Sequence, residues 1–199
     1  TIDPQDRAFQ LVGLGLASKV DSVAKALNLP SEVKLADSEV TGILDLLEPT
    51  DGGWMLTDYK CWGSYRVAKA LGLVKVGKQV RYDPESVDLS DEELQLNNYR
   101  LKVESHGARI VGMQLQVVIR DGKTYLATSR GIELNFYTIP IKRLDDGDVQ
   151  SYFQTKRTRL LKALAGEVAE MCSLAERWDG RRCKDFCEVA EFCPLGILS

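Results

Sequence analysis

The chain has 199 residues, long enough for one domain with a sizeable core, and its 44% apolar and 28% charged residues are ordinary for a soluble globular protein, so the fold has to be read from pattern. A formal net charge of −3 gives no general pull toward nucleic acid, which argues against a passive, sequence-blind DNA binder but is compatible with an acidic catalytic site. Apolar runs fall short of the roughly 20 residues that cross a bilayer, and the N-terminus lacks the basic, apolar and small-residue order of a signal peptide, so no membrane association and a cytoplasmic location are expected.

In chain order, Phe9, Val12, Leu16, Val20, Val23 and Leu27 stand near helical spacing and predict one or two helices over 7–28, closed by Asn28, Leu29 and Pro30. From Glu32 the apolar runs shorten, break at Glu48 to Gly53 and resume from Trp54 to Cys61, which predicts strands ending in a hairpin. Ser64 to Leu71 reads as a short helix capped by Ser64 and stopped by Gly72, followed by a polar, loop-like segment up to Ser90. There Ser90, Asp91, Glu92 and Glu93 form a capping box that opens a helix through about Ser105. Val111 to Arg120 and Lys123 to Ala127 flank Asp121-Gly122 and predict a second hairpin, with a further strand over Ile132 to Ile141. A long amphipathic helix from about Asp148 to Arg177 would turn Val149, Phe153, Leu160, Leu164, Val168 and Met171 inward, and Lys156, Arg157, Arg159 and Lys162 outward. The mixture is α/β, without internal repeats.

If the first hairpin pairs symmetrically about its turn, the numbers of opposed residues sum to about 103, and Asp45 stands opposite Asp58 with Cβ atoms roughly 4.5–5.5 Å apart. Strand alternation puts Lys60 on the face of Asp58, with Trp54 and Leu56 continuing that face and Ile43 and Leu47 flanking Asp45. Two opposed carboxylates among apolar neighbours need a cation, a shared proton or a tight lysine pair. Oxygen ligands of this kind suit Mg²⁺ or Mn²⁺, and a metal there polarises a phosphoryl oxygen while an adjacent ammonium stabilises developing charge, which is the chemistry of phosphodiester hydrolysis. The same residues also fit a solvent-facing hairpin with an incidental Asp–Lys pair. Gln95 and Tyr99 share one face of the following helix at i and i+4.

Of five cysteines, Cys172, Cys183, Cys187 and Cys193 crowd into the last 28 residues, a density that points to metal ligation rather than disulfides in a cytoplasmic chain. Four thiolates serve a tetrahedral Zn²⁺ or an iron–sulfur cluster, and spacing alone leaves both open. Arg177, Arg181, Arg182 and Lys184 around them fit either phosphate contacts or a solvated basic face.

The order Gly42-Ile43-Leu44-Asp45, Leu56-Thr57-Asp58-Tyr59-Lys60, Gln95 with Tyr99, then a C-terminal cysteine trio resembles the RecB-like branch of the PD-(D/E)XK nuclease superfamily, over roughly Val40 to Pro194. The nearest look-alikes are CRISPR-associated RecB-like exonucleases and related phage nucleases. The resemblance implies a restriction-endonuclease-like core, a mixed central β-sheet flanked by helices, over 1–171, with a cysteine-cluster segment over 172–199. It also implies that Asp45, Asp58 and the main-chain carbonyl of Tyr59 bind Mg²⁺ or Mn²⁺, that Lys60 assists hydrolysis, and that Gln95 and Tyr99 position the lysine and the DNA, with ends or single strands favoured. By the same likeness a structural [4Fe–4S] cluster is favoured over Zn²⁺, and the setting is recombination, repair, phage replication or CRISPR adaptation, with protein partners there.

Two departures from the family pattern matter. Relatives place a first-helix histidine or glutamate near the metal, whereas neither occurs here before Glu32 and the only histidine is His106, read as a helix-end residue. Water, a ligand upstream of Thr1, or Asp21, Glu32 or Glu39 would then complete the shell. Relatives also take their fourth cysteine from near the N-terminus; with none here before Cys61, Cys172 is the natural replacement and Cys61 reads as a packed residue. The alternative function is a non-catalytic DNA-binding or assembly subunit that retains the nuclease fold.

Overall fold

The computed structural model describes residues 31–36, 41–167, 170–174 and 176–198, and the helices expected over 7–28 lie outside them. Strands β1 (Ser31–Ala36), β2 (Thr41–Thr50) and β3 (Gly53–Trp62) lead into helix α1 (Ser64–Ala70), strands β4 (Leu73–Val76) and β5 (Gln79–Tyr82), and helix α2 (Ser90–Ser105). Strand β6 (Ile110–Ile119), helix α3 (Tyr125–Thr128), strand β7 (Phe136–Pro140) and helices α4 (Asp146–Leu164), α5 (Arg181–Asp185) and α6 (Pro194–Ile197) complete the order. Contacts divide the chain into two compact units, Thr1–Gln150 and Ser151–Ser199. That division falls inside α4, whereas the one expected at 171/172 followed the cysteines.

In the first unit five strands form one mixed sheet in the order β1-β2-β3-β6-β7, antiparallel except for the parallel β3–β6 pair. The β2–β3 hairpin has the anticipated register, from Thr50↔Gly53 to Leu46↔Thr57. Its turn needs glycine twice over: Gly52 has φ +85°, and a Cβ on Gly53 would lie 2.4 Å from the Arg109 carbonyl oxygen. Beyond Thr57 the strands part company. Strand β2 pairs with β1 over Thr41–Leu46, while β3 continues beside β6 as far as Trp62↔Ile119.

Alternation along β6 buries Ile110, Met113, Leu115, Val117 and Ile119. These join Leu47 and Leu56 of the hairpin, Val67, Ala68 and Ala70 of α1, and Leu96 and Val103 of α2 in one core. The fold is therefore α/β, a mixed central sheet flanked by helices.

Several local expectations are corrected. Ser64 is the first helical residue rather than the cap, and its buried hydroxyl donates to Asp121 at 2.6 Å, although Gly72 does stop the helix with φ +64°. The polar segment before Ser90 is not a loop: β4 and β5 pair about Gly77-Lys78, with glycine at φ +64° where a tight hairpin turn requires it. Helix α2 starts as expected but without the capping box, since Leu89 is its cap and no side chain bonds there. Asp121-Gly122 makes no hairpin; Thr124 caps α3 by accepting from the Ala127 amide at 3.1 Å, and Lys123 takes φ +61°. Helix α4 ends at Leu164 ahead of Gly166 (φ +89°); Val149 is buried and Phe153 half-buried, but Leu160, Leu164 and Met171 are exposed. Val168 lies outside the described residues.

Candidate active site

The parting of β2 from β3 creates the local chemistry. Past Leu46↔Thr57 the amide of Tyr59 has no β2 partner, and the Asp45 carboxylate accepts its hydrogen bond at 2.8 Å. Asp45 and Asp58 thus lie one step beyond the last paired residues, where a bond from the Tyr59 amide to the Asp45 side chain replaces direct strand pairing.

Asp58 is buried, and Lys60, two residues along the same strand face, brings its ammonium to 2.8 Å from Asp58 Oδ2. Among the described residues the Lys60 ammonium is the group that meets this buried oxygen, off ideal hydrogen-bond geometry. Burial pushes the Asp58 carboxyl above its ordinary value despite the opposing field of Lys60, and the nearby charges of Asp45 and Glu92 push the same way. Lys60 Nζ also donates to Gln95 Oε1 at 3.3 Å, and Gln95 Nε2 donates to the Tyr99 hydroxyl at 3.2 Å. A hairpin and a helix separated in sequence therefore converge in one continuous polar chain from Asp58 to Tyr99.

Two further residues border this chain and were missed in the sequence. Glu92, buried on α2, is three residues before Gln95 and so shares its face; Arg66 pairs with it at 2.5 Å, donates to the Asp88 carbonyl at 2.6 Å and stacks on Trp62 at 4.6 Å. The i, i+3, i+7 spacing of Glu92, Gln95 and Tyr99 was the signal available. The Tyr59 phenol is pushed up to about 12 by burial, Glu48 and Asp45, so only its main chain is a candidate ligand at neutral pH. His106 closes α2, its Nδ1 2.8 Å from the Lys102 carbonyl oxygen.

The second unit holds the cysteines. Cys183 is buried, Cys187 and Cys193 are half-buried, and Cys172 is exposed. Among the described residues no three His, Cys, Asp or Glu side chains come together as a metal-binding group, so the four thiols are not gathered in this conformation. Cys61 belongs to the first unit, and burial pushes its thiol up, away from the thiolate form that metals bind. The expected outward cations of α4 are met by acids: Lys156 by Glu176 at 3.6 Å, Arg159 by Glu170 at 3.0 Å and Lys162 by Glu167 at 3.9 Å. Glu32 lies in β1, while Asp21 and Glu39 lie outside the described residues.

No family model matches the chain, and no curated protein is similar to it. Among solved structures, one described as the crystal structure of SSO0001 is similar at 16% identity, with a TM-score of 0.48, over 93% of this chain and 70% of that one. Similarity at that level assigns neither a family nor an activity.

Proposed function

We propose that the chain is a divalent-metal-dependent deoxyribonuclease of the RecB-like kind, built on a restriction-endonuclease-like core and acting in the cytoplasm on DNA ends or single strands. The observation that carries this reading is the continuous chain Asp58, Lys60, Gln95, Tyr99, with Asp45 bonded to the intervening Tyr59 amide. An incidental surface ion pair would be exposed and without further partners. Here the carboxylate is buried and the lysine is held from a second element.

The buried Asp58 carboxylate fits a bound cation, as does the all-oxygen donor set of Asp45, Asp58 and the Tyr59 carbonyl. Mg²⁺ or Mn²⁺ held there would supply Lewis-acid polarisation of a phosphoryl oxygen. The protein's own residues do the rest. Lys60 presents a fixed positive charge to the negative charge that grows on the phosphate, and being held by Asp58 and Gln95 before substrate arrives reduces the reorganisation cost. Gln95 is spent as acceptor to Lys60 and donor to Tyr99, so it serves to aim the ammonium. Accepting from Gln95 leaves the Tyr99 hydroxyl proton to be donated elsewhere, as to a DNA phosphate.

The test is incubation of purified protein with end-labelled single- and double-stranded DNA and Mn²⁺. Cleavage is expected from the wild type and a loss of at least about a hundredfold from Asp58→Ala and Lys60→Ala, the scale seen when a preorganised charge is removed. Full cleavage by both variants, with folding intact, would sink the assignment. The non-catalytic alternative has its own supporting observation, since no third carboxylate or histidine joins Asp45 and Asp58 among the described residues. It predicts DNA binding without cleavage in the wild type.

For the second unit we propose a structural metal centre held by Cys172, Cys183, Cys187 and Cys193, a [4Fe–4S] cluster in preference to Zn²⁺. The donor set fits, and so does the absence of an apolar core: Cys183 is the sole buried residue described in Ser151–Ser199. Segments this small usually need such a staple.

A further inference from the structure

Resting on the DNA-nuclease reading, the geometry points to a binding site outside the Asp45–Tyr99 chain: the outer face of α1 is a stacking platform for one base of single-stranded DNA, with Tyr65 as the platform and Lys69 and Arg130 as contacts for the phosphates on either side.

Helix α1 buries Ser64, Val67, Ala68 and Ala70, so Tyr65, Arg66 and Lys69 are left on a single face about 100° wide at 100° per residue. Tyr65 is 59% exposed and takes no part in the core. Two cations from different elements lie over it. Lys69 Nζ stands 5.7 Å and Arg130 Cζ 5.6 Å from the ring centroid.

Each cation has a carboxylate partner, but a distant one. Lys69 reaches Asp88 only at 3.7 Å, with both side chains 48% exposed, and Arg130 reaches Asp121 only at 3.9 Å. An exposed pair such as Lys69–Asp88 contributes little and yields readily to a better anion. Asp121 is occupied instead by the Ser64 amide and hydroxyl, and Arg130 Nη1 donates to the same hydroxyl at 2.8 Å, which anchors the guanidinium beside Tyr65.

An exposed ring flanked by two weakly paired cations complements a nucleotide, which offers a planar base between two phosphates. Duplex DNA hides its base faces, so single strands are the favoured occupant. The face is also continuous with the proposed catalytic strand. Arg66, beside Tyr65, stacks on Trp62, and Trp62 shares a strand face with Lys60. A strand with a base on Tyr65 is thereby led along β3 toward Lys60.

The experiment is fluorescence anisotropy of a labelled oligothymidylate at low salt, without added divalent metal so that the strand stays uncut. Tyr65→Ala is expected to weaken binding about tenfold and Tyr65→Phe about twofold or less, as the ring rather than the hydroxyl carries stacking. Lys69→Gln should lower the slope of log affinity against log salt by about 0.7, the contribution of one phosphate contact on a single strand. Unchanged affinity in Tyr65→Ala, equal loss in Tyr65→Phe, or no binding by the wild type overturns the platform. Intact Mn²⁺-dependent cleavage beside Tyr65-independent binding removes the platform alone. Tyr65-dependent binding in a protein that never cleaves removes the nuclease reading alone.

Discussion

Asp58 illustrates how one side chain can oppose the fold that holds it. Its carboxyl sits above the ordinary value of 3.8 because burial outweighs the field of Lys60. A carboxyl whose pKa is raised by folding takes up its proton more readily in the native state. In the metal-free protein its ionised form therefore costs stability above the raised pKa, and the cost vanishes below 3.8, where the group is protonated whether folded or not. Asp58→Asn should consequently raise the melting temperature at pH 7, by roughly 2–4 °C for each kcal/mol relieved, and the gain should disappear in scans below pH 3.8. A lower melting temperature for the variant at pH 7 would mean that the Lys60 pair outweighs burial. Sequence alone exposed Asp58 and Lys60 as neighbours on one strand face, but the burial of Asp58 depends on what covers that face.

At the scale of elements, α2 carries half of the proposed site and has to be held in register with β3. Asn97 does much of this. Fully buried, it donates to the carbonyls of Glu93 and Lys142 at 2.8 Å and accepts from the Leu144 amide at 3.0 Å, tying the helix to the segment after β7. Arg100, also fully buried, extends the tie to Glu104 at 2.8 Å and Asp146 at 2.6 Å. Asn97→Ala strands a buried amide and two carbonyls, so a loss of about 2–3 kcal/mol in urea unfolding is expected. A loss below about 0.5 kcal/mol would show that water replaces the side chain at no cost. Two of the misread elements, those at Ser64 and Asp121, share a cause. Both residues carry side chains that fit local caps and turns, yet they bond to each other across 57 positions.

For the molecule as a whole, the two units differ in what stabilises them. Thr1–Gln150 contains the sheet and its apolar core, whereas the described part of Ser151–Ser199 buries only Cys183 and leaves Trp178, Phe186, Phe192 and Leu198 exposed. If a metal centre staples the second unit, removing it by chelation should speed hydrogen exchange across Ser151–Ser199 while the strands of the first unit keep their protection. Cys183→Ser should do the same and lower the metal content. Unchanged exchange together with metal-free protein as purified would discard the proposed centre, and an ultraviolet–visible spectrum of metal-loaded protein separates iron from zinc.

The sequence by itself determined the β2–β3 register, the shared strand face of Asp58 and Lys60, and the helical face of Gln95 and Tyr99. Each follows from a short-range rule, the glycine turn at Gly52-Gly53, the two-residue strand period or the helical repeat, and needs no knowledge of distant residues. Only the tertiary structure decided that β3 pairs with β6 along its other edge while losing β2 after Thr57, that Asp45 bonds to Tyr59 rather than simply facing Asp58, and that Gln95 meets Lys60. The parallel β3–β6 pairing has no local signature, because its strands are joined through a long crossover, and so Arg66, on another helix, could not be placed beside the site from spacing alone.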